Sequence, residues 1–528
     1  MKSIFKKISC GLAAVCLLSS IAVGGSSCQG DVNQGAPNYQ NNDDQFTMFA
    51  YSGIYHNWWA TGAGANRNKT YFDKSMYTAE NLKKYKDAGL NTLFINYVFN
   101  YNGVANTVSS DGDSVAWSMT EILDMAWAQG LKCIIFEGNL HSLSGAFNDA
   151  TKYTWTEEND KFSLIGSGYK YGKTSFETQE DLDNYVYECL DDVKDHPAFY
   201  GVSLIDEPRY TTFHAMGEVY QAIKKAAPNA YVHMNLNPLS PGLETMKYCN
   251  DGLLSTKAAY KKYLEDFYNI VQPQENICYD DYPIHGNNDQ KHSIKVDHLR
   301  GAQVVADFCK EKGLRFDKVF QTCAFKTGDW VCRTPSERDM YWQMNIGMAM
   351  GIKQFSYWTY FPVVNEGNEY YEPTASFVDR NGKPNPVYYS MQKIHSEMQG
   401  MAKALMHFEY QGLRKFTKPV VPGDSGFYGG VTNNNLKYVL NVEQDSGGLL
   451  LVTELYDEEK NQYGYYVVNT TDTSSLVDLT DIKVTVTFGG DFKKVQTYRN
   501  GEPKNSFLNE GKTTFYLTSG EGVFLLPY

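Results

Sequence analysis

Two adjacent carboxylates, Asp206 and Glu207, close an apolar run that begins at Phe199, and Pro208 and Arg209 follow them. Neighbouring acids can divide the work of proton transfer, one donating as a carboxylic acid while the other stays ionised, provided their surroundings separate their proton affinities. The run Phe199 to Ile205 is apolar and partly β-branched, as a buried strand is, so the acids stand where a core strand reaches an open rim. Taken alone, Asp-Glu-Pro is equally an ordinary exposed turn between strand and helix. Its place in the chain decides between the two.

That place is the fourth of eight strand-helix rounds. The strands are expected at Thr47 to Ile54, Thr92 to Phe99, Lys132 to Phe136, Phe199 to Ile205, Ala230 to Asn235, Asn276 to Asp280, Lys318 to Ala324 and Gln354 to Tyr360. Amphipathic helical segments separate them. One begins at Thr178, with Asp181 as its capping-box partner, and another is expected to open at Thr334-Pro335-Ser336-Glu337 with Thr334 as N-cap. Eight such rounds over 46–407 are the number that closes a (β/α)8 TIM barrel, an α/β fold. A doubly wound open sheet is the alternative, but no GxGxxG turn follows the first strand.

After Phe408 the helical periodicity stops. Short alternating segments such as Leu449 to Leu455, Tyr463 to Val468 and Ile482 to Phe488 lie between Asn, Asp and Gly turns, which predicts a C-terminal antiparallel β-sandwich over 408–528. It carries no constellation that suggests chemistry. Bracing the barrel is its expected role, and carbohydrate binding is the alternative.

In a (β/α)8 barrel the site is built at the C-terminal ends of the strands. Those ends carry Trp58 and Trp59, Asn96, Glu137 with Asn139 and His141, Asp206 with Glu207, Asn235 and Asn237, Asp280 with Asp281 and Tyr282, Gln321, and Trp358. Acids and amides pair with hydroxyl groups, and aromatic planes pack on the C–H faces of a ring, so the joint set suits a sugar. Each member alone is as ordinary in packing or in a turn.

On these residues the chain resembles the clan A glycoside hydrolases, (β/α)8 enzymes with Asn-Glu-Pro or a close variant at the end of strand four. The resemblance implies hydrolysis of glycosidic bonds with Glu207 as general acid/base, its pKa raised by burial at the barrel mouth. It covers residues 46–405, and only the tripeptide and the barrel frame are specific. The chain departs from that pattern at strand seven, where the group presents a second glutamate as nucleophile and this sequence has Gln321. An amide cannot form a glycosyl ester. The second acid is therefore sought in Asp280, Asp281 or Glu137, with Asp280 favoured because Tyr-Asp-x-Tyr-Pro resembles a strand-six ending of barrel hydrolases.

Adjacent Asp-Glu also resembles the dyad of the retaining β-N-acetylhexosaminidases, which implies substrate assistance with Asp206 steadying the 2-acetamido group and no protein nucleophile. That motif carries Gly-Gly where this chain has Leu204-Ile205. A carbohydrate-binding protein on a barrel that no longer catalyses is the third reading.

The first 27 residues read as an export signal, with Lys2, Lys6 and Lys7 before an apolar stretch and small residues before Cys28. Those small residues resemble the bacterial lipobox, which implies a lipid anchor on Cys28 and a chain tethered to a membrane by a polar segment over 28–45. An ordinary secretory cleavage nearby is the alternative. The net charge of −13 becomes −16 once three lysines leave with the signal, which argues against a nucleic-acid partner. No Cys or His spacing fits a zinc site, and no cofactor or structural metal is expected. The seven cysteines beyond Cys28 read as buried thiols.

Overall fold

Side chains along the parallel barrel strands divide between two environments, and this division separates the site from its scaffold. The computed structural model describes residues 35–51, 54, 77–98, 107–108, 117–137, 139–140, 143, 153–156, 161–164, 176, 178–208, 212–239, 256–287, 290–295, 298–327, 330–362, 376–379, 382–417, 436–445, 448–471, 473 and 481–528. The strands are β1 (Thr47–Ala50), β2 (Thr92–Val98), β3 (Lys132–Glu137), β4 (Phe199–Asp206), β5 (Tyr231–Leu236), β6 (Asn276–Asp280), β7 (Arg315–Gln321) and β8 (Gln354–Trp358). Their order in the sheet is β1-β8-β7-β6-β5-β4-β3-β2, so each strand lies beside its sequence neighbours and β8 returns to β1.

Asn91 joins the two ends. Its backbone N–H donates to Met48 O at 3.0 Å, its side-chain Oδ1 accepts from Met48 N at 2.8 Å, and its Nδ2 donates to Phe46 O at 2.8 Å. The sheet is thereby the wall of a barrel, not an open doubly wound sheet.

Along β1, Met48 and Ala50 pack in the layer between strands and helices, while Phe49 and the following Tyr51 pack with Phe94, Phe136, Tyr231 and Val319 in the barrel's centre. Strand β4 breaks strict alternation with irregular pairing between Ser203 and Ile205, so that Leu204 and Ile205 both pack outward and the next residue is turned to the mouth. Gly201 is required on the same strand, because a Cβ there would lie 1.9 Å from Tyr231 O of β5.

The surrounding helices are α1 (Ala79–Asp87), α2 (Met119–Ala128), α3 (Gln179–Leu190), α4 (Phe213–Ala226), α5 (Thr256–Val271), α6 (His298–Lys312), α7 (Glu337–Ala349) and α8 (Pro386–Leu405). The Thr178/Asp181 capping box starts α3 as expected. Helix α7 starts two residues later than its Thr-Pro signal predicts, with Ser336 as N-cap and Asp339 completing the box. The shift follows from Asp339. Its carboxylate takes Ser336 N at 2.7 Å and the two terminal guanidinium nitrogens of Arg333, and a cap tied to a buried ion pair outweighs an isolated N1 proline.

Beyond α8 lie β9 (Glu409–Thr417), β10 (Val439–Gln444), β11 (Leu449–Asp457), β12 (Gln462–Asn469), β13 (Ile482–Phe488), β14 (Lys494–Arg499), β15 (Glu502–Phe507), β16 (Lys512–Leu517) and β17 (Gly522–Pro527). They form two antiparallel sheets, β9-β11-β12-β17-β14-β15 and β10-β13-β16. Val452, Val467, Val484 and Val486 pack between them, so the fold is a TIM barrel followed by a β-sandwich. Six buried cysteines, Cys133, Cys189, Cys278, Cys309, Cys323 and Cys332, are free thiols, and Cys249 lies outside the described residues.

Candidate functional site

The backbone at Glu207 turns into the left-handed region, with φ at 45°. A non-glycine residue there is strained by about 1 kcal/mol or more and persists only where neighbours fix it. Three neighbours do. Glu207 N donates to Asn235 O at 2.7 Å, and the next carbonyl, Pro208 O, accepts from Tyr263 OH at 2.8 Å and Asn237 Nδ2 at 3.1 Å. Asn237, expected to touch substrate, is buried and serves as this clamp. The clamp aims Asp206 and Glu207 at the barrel mouth, where both are exposed.

The acid facing them is Asp280 at the end of β6. Asp280 is 5% exposed, and its carboxyl comes within hydrogen-bonding reach of Glu207 and of Tyr282. Three carboxyls thus share one small volume. Although the tips of Asp206 and Glu207 meet solvent, the barrel wall crowds them from below and from the sides. That loss of water raises Glu207 to about 7, with the negative charge of Asp206 adding to it. Asp280 is pushed well above the usual carboxylate range, first by burial and then by the charges of Glu207 and Asp206. Asp206 is raised less, because burial is opposed by hydrogen bonds from Asn235 and Tyr51. Glu207 and Asp280 therefore titrate as one coupled pair, both held above the ordinary carboxylate range.

The other two candidate acids are used elsewhere. Asp281 points outward from the barrel and is 3% exposed, with Lys295 Nζ at 2.7 Å on one oxygen and His298 Nδ1 at 2.8 Å on the other. Burial alone would raise its pKa, but these partners overcome burial and hold it well below the usual range. Glu137 is fully buried toward Cys189 of α3 and accepts from Asn139 Nδ2 at 3.0 Å and Leu140 N at 2.6 Å. Neither joins Glu207. Asn139 is thereby also committed to Glu137.

Gln321 occupies the end of β7, fully buried, and its amide is spent on backbone. Oε1 accepts from Ile284 N at 2.9 Å, while Nε2 donates to Ile284 O at 3.0 Å, Arg333 O at 3.0 Å and Cys323 O at 3.3 Å. It pins the small antiparallel sheet built from Ile284–Asn287, Gln290–Ile294, Trp330–Cys332 and Phe325–Thr327 against the rim. The residue that breaks the two-glutamate pattern is a strut, with no atom left for a substrate.

Tyr282 is half-buried beside Asp280, Trp358 is half-buried against Tyr51, and Asn235 is fully buried with Nδ2 at 2.8 Å from Asp206 Oδ1. The backbone of Asn96 lies in β2; its side chain, with Trp58, Trp59, His141 and Cys28, lies outside the described residues. Sequence reasoning passed over Tyr51. It follows Phe49 by two positions in a strand, which places it on the same inward face at the mouth, and that periodicity was the available signal. Among the described residues no group of three or more acids, histidines or cysteines is arranged to hold a metal ion.

Neither a family model nor a curated protein matches the chain. Among solved structures, the chain is similar to a GH30 endoxylanase from Clostridium papyrosolvens, at 13% identity and a TM-score of 0.38 over 92% of this chain and 98% of that one. It is also similar to a family 5 glycoside hydrolase from Bacteroides vulgatus, at 11% identity and 0.44 over 91% and 89%. A third likeness, to an Anoxybacillus α-amylase, stands at 9% identity and 0.45 over 93% and 99%. These neighbours are glycoside hydrolases, and at such TM-scores the likeness carries no argument about the reaction.

Proposed function

We propose that the chain is a glycoside hydrolase in which Glu207 is the general acid/base and Asp280 the second catalytic carboxyl. One observation carries this reading: β4 and β6 bring two carboxyls into contact at the barrel mouth, and their surroundings keep Glu207 protonated to about 7. When the shared proton of the pair lies on Glu207, that residue protonates the leaving oxygen and Asp280, then a carboxylate, faces the anomeric carbon. A retaining pair stands about 5–5.5 Å apart and an inverting pair about 6.5–9.5 Å. Contact between the free carboxyls supports the retaining course, with the pair parting slightly to admit a sugar.

Turnover of a panel of aryl glycosides tests the assignment. Glu207→Gln is expected to lower kcat by at least about 100-fold while sugar binding persists, and a 2-fluoroglycosyl substrate is expected to leave an ester on Asp280. Hydrolysis restricted to 2-acetamido sugars, with no such ester, would replace this reading by the Asp206-Glu207 substrate-assisted one. The same proposal places the enzyme outside the cytoplasm, lipid-anchored at Cys28, and Cys28→Ala is expected to abolish incorporation of labelled fatty acid.

A further inference from the structure

Two donors from different strands converge on Asp206. Asn235 reaches it from β5 at 2.8 Å, and the Tyr51 hydroxyl comes within hydrogen-bonding reach of it from the end of β1. In the barrel β1 and β4 are separated by β2 and β3, so the tyrosine spans the interior. Neither donor is free to turn away. Tyr51 is 7% exposed, its N–H donates to Tyr357 O at 2.8 Å, and its ring lies 5.0 Å from both Phe94 and His233 and 6.0 Å from Trp358. Asn235 is fully buried, and its carbonyl carries the Glu207 amide.

We propose that Tyr51 is a positioning residue: it holds Asp206 as a fixed anion beside Glu207, so that the proton of the site stays on the Glu207–Asp280 pair. The inference rests on the reading of Glu207 as proton donor and names what keeps the proton where that reading needs it. Three crowded carboxyls would otherwise share protons among themselves. Donors that point at a carboxylate favour its ionised form.

Among the described residues the groups that face Asp206 are few. Glu207 adjoins it, Asp280 and Tyr282 approach from the end of β6, Tyr51 from β1 and Asn235 from β5. Among the described residues no cation acts on it, and Lys318, turned to Asp281 O at 2.8 Å, bears on Asp280 instead. Beneath, His233 is neutral, its pKa lowered to about 3 by burial, and it pairs with Tyr231 OH at 2.9 Å. The anion is held by two neutral donors.

The test is a titration of the Asp206, Glu207 and Asp280 side-chain carboxyls by carbon NMR in the full chain, with Tyr51→Phe and Asp206→Asn as variants, beside the pH profile of kcat/KM. Losing the tyrosine hydroxyl is expected to raise the Asp206 midpoint by about one pH unit, equivalent to about 1.4 kcal/mol. The acid limb of the profile then moves up by a similar amount. Asp206→Asn is expected to lower the Glu207 midpoint, because the neighbouring charge is gone. An unmoved Asp206 midpoint in Tyr51→Phe would make Tyr51 mere packing and overturn the proposal, and so would an unmoved Glu207 midpoint in Asp206→Asn. Should Tyr51→Phe fail to fold, the Asp206 variant, at an exposed position, carries the decision. The carboxyl titrations need no substrate. Shifts as expected in a protein that hydrolyses no glycoside would uphold the positioning role and sink the enzyme reading; turnover with unmoved titrations would do the reverse.

Discussion

Glu207 is uncomfortable as an anion, and that discomfort is measurable without a substrate. Its pKa stands at about 7 in the folded protein and about 4.3 in an unfolded chain. For an acid raised on folding, the ionised form costs stability; the cost begins near pH 4.3, grows with pH and is complete above 7. Because the carboxyl is exposed at the mouth, solvent screens much of it, and about 1 kcal/mol is expected to remain. Glu207→Gln should therefore melt about 1–2 °C above the parent at pH 8 and level with it at pH 4 by calorimetry. Equal melting at both values would show an unstressed carboxylate.

The same scale decides what Gln321 is for. Gln321→Glu restores a strand-seven acid but aims a buried carboxylate at three carbonyl oxygens, those of Ile284, Cys323 and Arg333. The variant is expected to lose about 3 kcal/mol of stability by chemical denaturation and to gain no activity. At this scale the sequence was legible where type and position sufficed, as for Asp206-Glu207 at the end of an apolar run. It was not legible for Asp280 against Asp281, because both faces of a barrel strand are buried and only the partners Lys295 and His298 show which acid turned outward.

At the scale of elements, the barrel depends on a seam that no periodicity announces. Asn91 precedes β2 and exchanges side-chain hydrogen bonds with Met48 N and Phe46 O, bridging the first strand to the second. Asn91→Ala leaves both backbone groups without that partner, and a loss of about 2 kcal/mol in urea unfolding is expected. Strand and helix order could be read because periods of two and near four alternate along the chain. Boundaries shifted where a tertiary bond outranked a local signal. Asp339 drew the start of α7 onto Ser336 by pairing with Arg333, and Gln321 ends β7 because its side chain binds the backbone of the small sheet beside it. In both cases the deciding partner is a side chain or carbonyl that only the fold brings near.

At the scale of the whole molecule, the sandwich supports the strand-seven rim through one helix. Trp342 Nε1 of α7 donates to Thr470 O at 3.2 Å, Asn345 Nδ2 to Gly520 O at 2.9 Å, and Tyr466 OH to Asn345 Oδ1 at 2.8 Å. From the same helix Gln343 reaches the other way, accepting from Gln321 N at 3.1 Å and donating to Gln321 O at 2.9 Å. Apolar packing is continuous across this junction, with Tyr466, Phe524 and Leu526 of the sandwich in one cluster with the helix layer of the barrel. A large apolar boundary of this kind couples the unfolding of its two sides. Calorimetry is therefore expected to show one transition, with calorimetric and van't Hoff enthalpies equal. Thr473→Ala tests the coupling at a single bond, because Thr473 Oγ1 donates at 2.5 Å to Asp339 Oδ1, the acid that also caps α7 and pairs with Arg333. Removing that donor is expected to cost about 1–2 kcal/mol and to lower the single transition as a whole. A second, earlier transition in the variant would mean that barrel and sandwich are separately stable, and that the rim around Glu207 owes the sandwich nothing.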